Sequence, residues 1–348
     1  MKKIKYIAIL FGVIIVLYFT TIIVFRIPSY TIKTQGKLYI LNKLSQSITV
    51  FDLYQGKELS EIPLSVLPHE ATTLPNQNKI VVTNYGTKNI GGNSIEVINT
   101  ESNIIEKTIC FAERLRPNGI IAFPFTNKVG VVTDVGNYFL IVNTETGTIE
   151  KKILIEQQGS HFLVIHPSKS VVFVTNINSG SVSVIDLEQD KVIKIIHCSL
   201  ATEGIDITPD GSEIWVTNNK ENTITIISTN TYQITNTLTA GKEPLRLKFS
   251  IDGKHCLVTN SGDGTISVYD QHSKKEIKTI QIHGKTSLLE KLLYHTPRPV
   301  NILMHPNGLY AFVANSNANK IEVLDMKTFT LVSTIGTGKI PDGMAFVK

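Results

Sequence analysis

The chain is poor in charge. Asp, Glu, Lys and Arg make up 18% of its 348 residues, below the usual quarter of a soluble domain. It has three cysteines, Cys110, Cys198 and Cys256, spread so far apart that no pair has metal-ligand spacing. A disulfide framework needs a denser, even set, and covalent haem attachment needs a Cys-x-x-Cys-His run that is missing. The cysteines therefore read as small hydrophobes. No GxSxG, Walker loop or HExxH occurs, so the sequence signatures of α/β-hydrolases, P-loop NTPases and zincins are absent. "SGDGT" at Ser261 to Thr265 is acidic and Gly-rich, but it opens on Ser and lacks the closing Glu of an EF-hand loop. The net charge of +5 is scattered, without a basic stripe interleaved with aromatics. Nucleic acid is excluded as a partner on that ground.

What is abundant is Ile, Val and Thr, with Asn and Gly between them. That mixture suits strands joined by turns. One segment departs from it. Lys2, Lys3 and Lys5 precede an uncharged apolar run from Tyr6 to Phe25, closed by Arg26. About twenty helical residues span the hydrocarbon core of a bilayer. A cleaved signal would have a shorter apolar core and a small-x-small site. The run therefore predicts one uncleaved signal anchor, with residues 6–25 in the membrane. The lysines put the N-terminus in the cytoplasm and the rest of the chain outside. Residues 1–26 form the tip and anchor, 27–35 a linker, and 36–348 one exported domain.

That domain is repetitive. Val82-Thr83-Asn84, Val174-Thr175-Asn176, Val216-Thr217-Asn218 and Val258-Thr259-Asn260 are copies of one signature, with degenerate copies ending at Asn42, Asp134 and Asn315. Four of the six intervals between these Asn or Asp positions are 42 residues; the others are 50 and 55, a repeat plus a loop insertion. Each unit holds four short apolar runs separated by turn residues, the pattern of a propeller blade. We letter the strands A to D from the axis outward. The first run, Leu38 to Asn42, matches strand B, and the last, Pro341 to Val347, matches strand A. The predicted fold is an all-β, seven-bladed propeller, closed by the C-terminal strand and preceded by one transmembrane helix. Closure leaves no edge seeking a neighbour, so a monomeric ring is expected.

The "VTN…SVSVID" cores and the "TPDG", "SIDG" and "HPNG" turns resemble YVTN-type repeat propellers over roughly residues 36–348. The resemblance implies a seven-bladed ring, often exported, related to surface-layer and cytochrome-d1-like propellers. It does not imply one activity: such propellers include lactonase-like enzymes and quinoprotein subunits.

Residues repeated in every unit are expected to be structural. The signature Asn is assigned to turn capping and left-handed conformations. Asp52, Asp186, Asp270 and Asp325 end strand C, and the Gly of the "PDG" turns takes positive φ. His166-Pro167 and His305-Pro306 mark A–B turns on the face away from the mouth. Function is expected where the units differ. Two insertions fall at the mouth: Tyr85 to Asn93, and Gly284 to Arg298, whose Ser287 and Glu290 have capping-box spacing before an apolar helix face. The starts of strand A place His69, Glu70, Asn118, His161, Glu203, Arg246, Asn301 and Asp342 around the channel mouth. This concave polar cluster is the candidate ligand site. Arg246 is read as an anion holder, and His69, His161 and Glu203 as metal ligands or proton-transfer groups. No cofactor, catalytic residue or resident metal is assigned. The expected function is a binding module for a cell-envelope protein, glycan or small molecule. A metal-dependent lactonase-like hydrolase and a haem-d1 or quinoprotein-like redox subunit stand as alternatives.

Overall fold

Runs such as Val171–Asn176 and Ser181–Asp186 are buried at nearly every position. A strand is apolar on both faces only when both are covered. Outer runs such as Lys191–His197 alternate instead, as a half-solvated strand does. The structure, a computed structural model, resolves that difference as a radial position. It describes residues 9–17, 29–75, 77–87, 90–284 and 296–348. Seven four-stranded antiparallel sheets are present. Strands B and C of each sheet are sandwiched between neighbouring blades, and strand D lies at the rim.

The inner strands, in blade order, are Pro341–Val347, Pro68–Leu74, Pro117–Ala122, Ser160–Ile165, Thr202–Ile207, Pro244–Phe249 and Pro299–Met304. The ring closes as expected: Pro341–Val347 pairs antiparallel with Lys37–Asn42, with Tyr39 opposite Ala345. The core consists of apolar layers between successive blades. One contains Leu38, Phe51, Phe312 and Val323; another is built on Trp215, whose ring meets those of Phe249 and Tyr269 edge-on at 5.3 and 6.3 Å.

The turns show why certain residues recur. Asp52, Asp186 and Asp325 each accept the backbone N–H groups two and three residues on with Oδ1. Gly211, Gly253 and Gly308 adopt φ of +75°, +73° and +72°. The signature Asn requires a correction. None of these positions has positive φ. Asn42, Asn176, Asn218 and Asn260 are fully buried, and each Nδ2 donates to hydroxyls five and seven residues on, at Ser47 and Thr49 in the first case. The Asn ties strand B to strand C because its amide is a buried donor that must be satisfied.

Residues 29–35, expected as a linker, lie along the closure. The Thr334 N–H donates to the Ser29 carbonyl (2.9 Å), and the Thr31 hydroxyl donates to the Val332 carbonyl. The segment thus begins beside the outer strand Thr330–Gly336 of blade seven. Tyr30 then packs edge-on against Phe51 and donates to the Leu53 carbonyl, and Thr34 meets His305. Residues 9–17 are helical with exposed side chains. Most of the expected anchor, Tyr6 to Phe25, lies outside the described residues, as does the helix expected at Ser287 to Leu293. Among the described residues no helix is long and apolar enough to cross a membrane.

Candidate functional site

A bulge opens the top of strand A in each of blades two to six, and the pairing register skips there, as between Ser160 and Leu163. A bulge re-aims side chains. The two skipped residues are His69-Glu70, Asn118-Gly119, His161-Phe162, Glu203-Gly204 and Leu245-Arg246. Blade one shows the same two-residue skip, at Asp342-Gly343, and blade seven a shorter one at Val300. The Thr of the signature holds the bulges open. Thr83 Oγ1 accepts the Glu70 N–H and donates to the Asn118 carbonyl of the next blade. Thr175 does the same for Phe162 and Glu203, and Thr217 for Gly204 and Leu245. The Gly at the second bulge position has a steric cause. A Cβ on Gly204 would lie 2.3 Å from the Leu245 carbonyl oxygen, so the next blade's backbone fills the space.

The structure brings all eight predicted residues together in two polar groups that meet where the His69 and His161 rings lie 5.5 Å apart. Asn118 Nδ2 donates to His161 Nδ1 (2.5 Å), and His161 Nε2 faces Glu203 Oε1 at 3.5 Å. Glu203 also accepts from Asn219 Nδ2 (2.6 Å) and Arg246 Nη1 (3.3 Å). Arg246 Nη2 donates to Glu70 Oε1 (3.1 Å), and Asn301 donates to both Glu70 oxygens (3.3 Å). Glu70 belongs to blade two and Arg246 to blade six, so this ion pair bolts the channel across its width. The guanidinium carbon also lies 3.4 Å from the Phe162 ring centroid. Asp342 Oδ2 accepts from Lys43 Nζ (3.1 Å) and lies 3.0 Å from His69 Nδ1. That His69 nitrogen makes no well-aligned hydrogen bond.

The charge states follow from burial and neighbours. Burial raises Glu70 to about 7 against the lowering pull of Arg246. Burial also raises Glu203, but the histidine and arginine beside it outweigh that and hold it below the ordinary carboxylate value. Asp342 is likewise lowered, because the Lys43 ammonium beside it overcomes its desolvation. Burial, aided by Lys43, lowers His69 to about 4, so it is neutral at physiological pH.

A cavity of about 290 Å³ opens over the network, lined by His69, His161, Glu203, Arg246 and Asp342 of the predicted set. Glu70, Asn118 and Asn301 support these as hydrogen-bond partners. The reading of Arg246 as an anion holder meets a physical obstacle: both arms of its fork are taken by carboxylates. Lys43 and Tyr85 also line the cavity and were not among the expected residues. Tyr85 lies beneath the Arg116 guanidinium (4.2 Å) and bonds Asp134 through its hydroxyl. Lys43, Tyr85 and Asn219 each directly follow a signature Asn, a positional signal that the sequence carried. A second groove of about 650 Å³ adjoins, lined by Glu203, Asn219, Lys220, Lys242 and Arg298. The three cysteines are free; Cys256 is buried and Cys198 half-buried, as small hydrophobes are, but Cys110 is exposed.

The fold and mouth define a seven-bladed propeller with an ion-bridged polar channel mouth. Among protein families, the model of the cytochrome D1 heme domain matches residues 126–288. Hydrazine synthase of Kuenenia stuttgartiensis shares the fold with a TM-score of 0.71 and 18% identity, covering 86% of this chain and 95% of that one. No curated protein matches the chain.

Proposed function

We propose that the chain is a YVTN-type propeller, anchored by residues 6–25 outside the cytoplasm, that binds a small polar ligand in its channel mouth without transforming it. One observation carries this reading: eight polar side chains from all seven blades converge around one cavity, as a ligand site requires. The chemistry around it favours binding over turnover. Both His161 nitrogens are engaged by Asn118 and Glu203, so that ring is held as a binding group and not free as a general base.

The match to a haem-domain model raises a tetrapyrrole as an alternative, and the described residues of the mouth do not fit one. Haem iron takes an axial His, Met, Cys or Tyr. The rings of His69 and His161 are only 5.5 Å apart, edge to face, with no room for a macrocycle between them. The mouth cavity of about 290 Å³ is at the bottom of the range of about 300–1,000 Å³ for drug-sized ligands. The larger adjoining groove is lined by no axial ligand type.

The test compares full-length protein in detergent with its His161→Ala variant after incubation with a cell-envelope extract. A glycan or solute retained by the wild type and lost by the variant is the expected result. Identical retention by both proteins sinks the proposal.

A further inference from the structure

We propose that His69, Glu70 and Asp342 form a site for a divalent transition-metal ion, which Lys43 occupies as an internal counter-cation until the ion displaces it. This deepens the binding reading of the same mouth and rests on it. One donor atom from each residue lies within 4.8 Å of the others, close enough for a single ion to gather them at bonds of about 2.0–2.2 Å after small side-chain shifts.

Three further observations point to a ligand. First, His69 is 5% exposed, and its Nδ1 makes no well-aligned hydrogen bond although it faces Asp342 at 3.0 Å. A buried polar atom left without a bond is costly, and a metal would give this one a bond. Second, Glu70 is already aimed. Arg246 and Asn301 grip its oxygens from behind, which is how outer groups orient a metal-binding carboxylate. Third, the present cation is replaceable. The Lys43 side chain is 28% exposed, against 9% for Asp342. Its Nζ already lies 5.4 Å from the Tyr85 ring centroid, a face over which it can withdraw.

The donor set selects the ion. One imidazole and two carboxylates suit Zn²⁺ or Mn²⁺, whereas Ca²⁺ and Mg²⁺ favour all-oxygen shells. Three protein ligands leave coordination positions open toward the cavity, where a bound solute would complete the shell.

The experiment is calorimetric titration of metal-free, full-length protein in detergent with Zn²⁺ or Mn²⁺, with Ca²⁺ as the contrast. One saturable site per chain is expected, abolished in His69→Ala. Asn301→Ala should weaken it by about tenfold to a hundredfold through misplacement of Glu70. Lys43→Met should tighten it by about tenfold or more, because the competing cation is gone; a merely structural lysine would not produce that gain. Wild type without saturable binding, Ca²⁺ bound in preference, or equal binding by His69→Ala overturns the site. The Lys43→Met result keeps the test decisive if His69→Ala fails to fold. If no ion binds, yet envelope material is still retained and lost in His161→Ala, the metal site falls and the binding reading stands.

Discussion

Arg246 holds more of the mouth together than any other single residue. It pairs with Glu70 and Glu203 and covers the Phe162 face, with its side chain 11% exposed. Removing it strands two carboxylates where water reaches poorly. Breaking a buried ion pair by deleting one partner costs about 3–5 kcal/mol. Arg246→Met should therefore lower the free energy of unfolding by about that much in urea titrations. Adding Glu70→Gln and Glu203→Gln should recover most of the loss, because neutral amides need no counter-charge. A triple variant no more stable than Arg246→Met alone would mean that packing, not charge, sets the cost. The convergence of these residues could be read from the sequence by aligning the starts of strand A. That Arg246 faces carboxylates and not a ligand could not be, since its partners lie 43 and 176 residues away.

Among the elements, the A–B turns carry a chemical dependence. His166 Nδ1 accepts the backbone N–H groups of Ser168 and Lys169, and His305 Nδ1 accepts that of Asn307. Both rings are buried, and burial lowers both below the ordinary value of 6.5. Protonation would set an N–H against an N–H and break each turn. Above the unfolded-state value of about 6.5, both folded and unfolded chains hold these rings neutral, and their stabilisation is fully present. As pH falls, the unfolded chain takes up protons first, and stability is lost down through the lower folded value. Melting temperature should therefore fall as pH drops below about 6.5. Asn accepts the same N–H groups through its side-chain oxygen without titrating. The double variant His166→Asn, His305→Asn should show a flatter profile than the wild type; parallel profiles would remove the histidines as the cause. His69 acts in the same direction in both proteins, so the difference between profiles isolates the turns. The repeating His-Pro pair marked these turns in the sequence. The signature Asn was less legible. Its partners sit five and seven residues on, across a hairpin, and only the paired strands show that the amide serves the sheet and not the turn.

At the scale of the whole molecule, closure is the decisive event. The inner strand of blade one comes from residues 341–347 and pairs with residues 37–42. It also contributes Asp342 to the mouth and Met344 to the layer between blades seven and one. Deleting residues 341–348 would expose the edge of Lys37–Asn42 and open the ring. Loss of cooperative thermal unfolding, with aggregation on purification, is the expected outcome. A truncated chain with the wild-type transition would show that the seven blades do not depend on being closed. The seam has a second fastening, because residues 29–35 lie over it and bond to the outer strand of blade seven. The sequence reading expected only a linker there. Nothing in the short polar run Ser29 to Gln35 announces its partners, which lie about three hundred residues away along the chain.

By itself the sequence determined the ring: blade count, strand order, closing strand and the residues that reach the mouth. Repetition makes this possible, because each blade restates the same local pattern and register. The tertiary structure alone decided which charges meet across the channel, which histidine nitrogen is left without a well-aligned bond and what Lys43 neutralises. Those outcomes depend on distances between different blades, and spacing along the chain carries no information about separations across a closed ring.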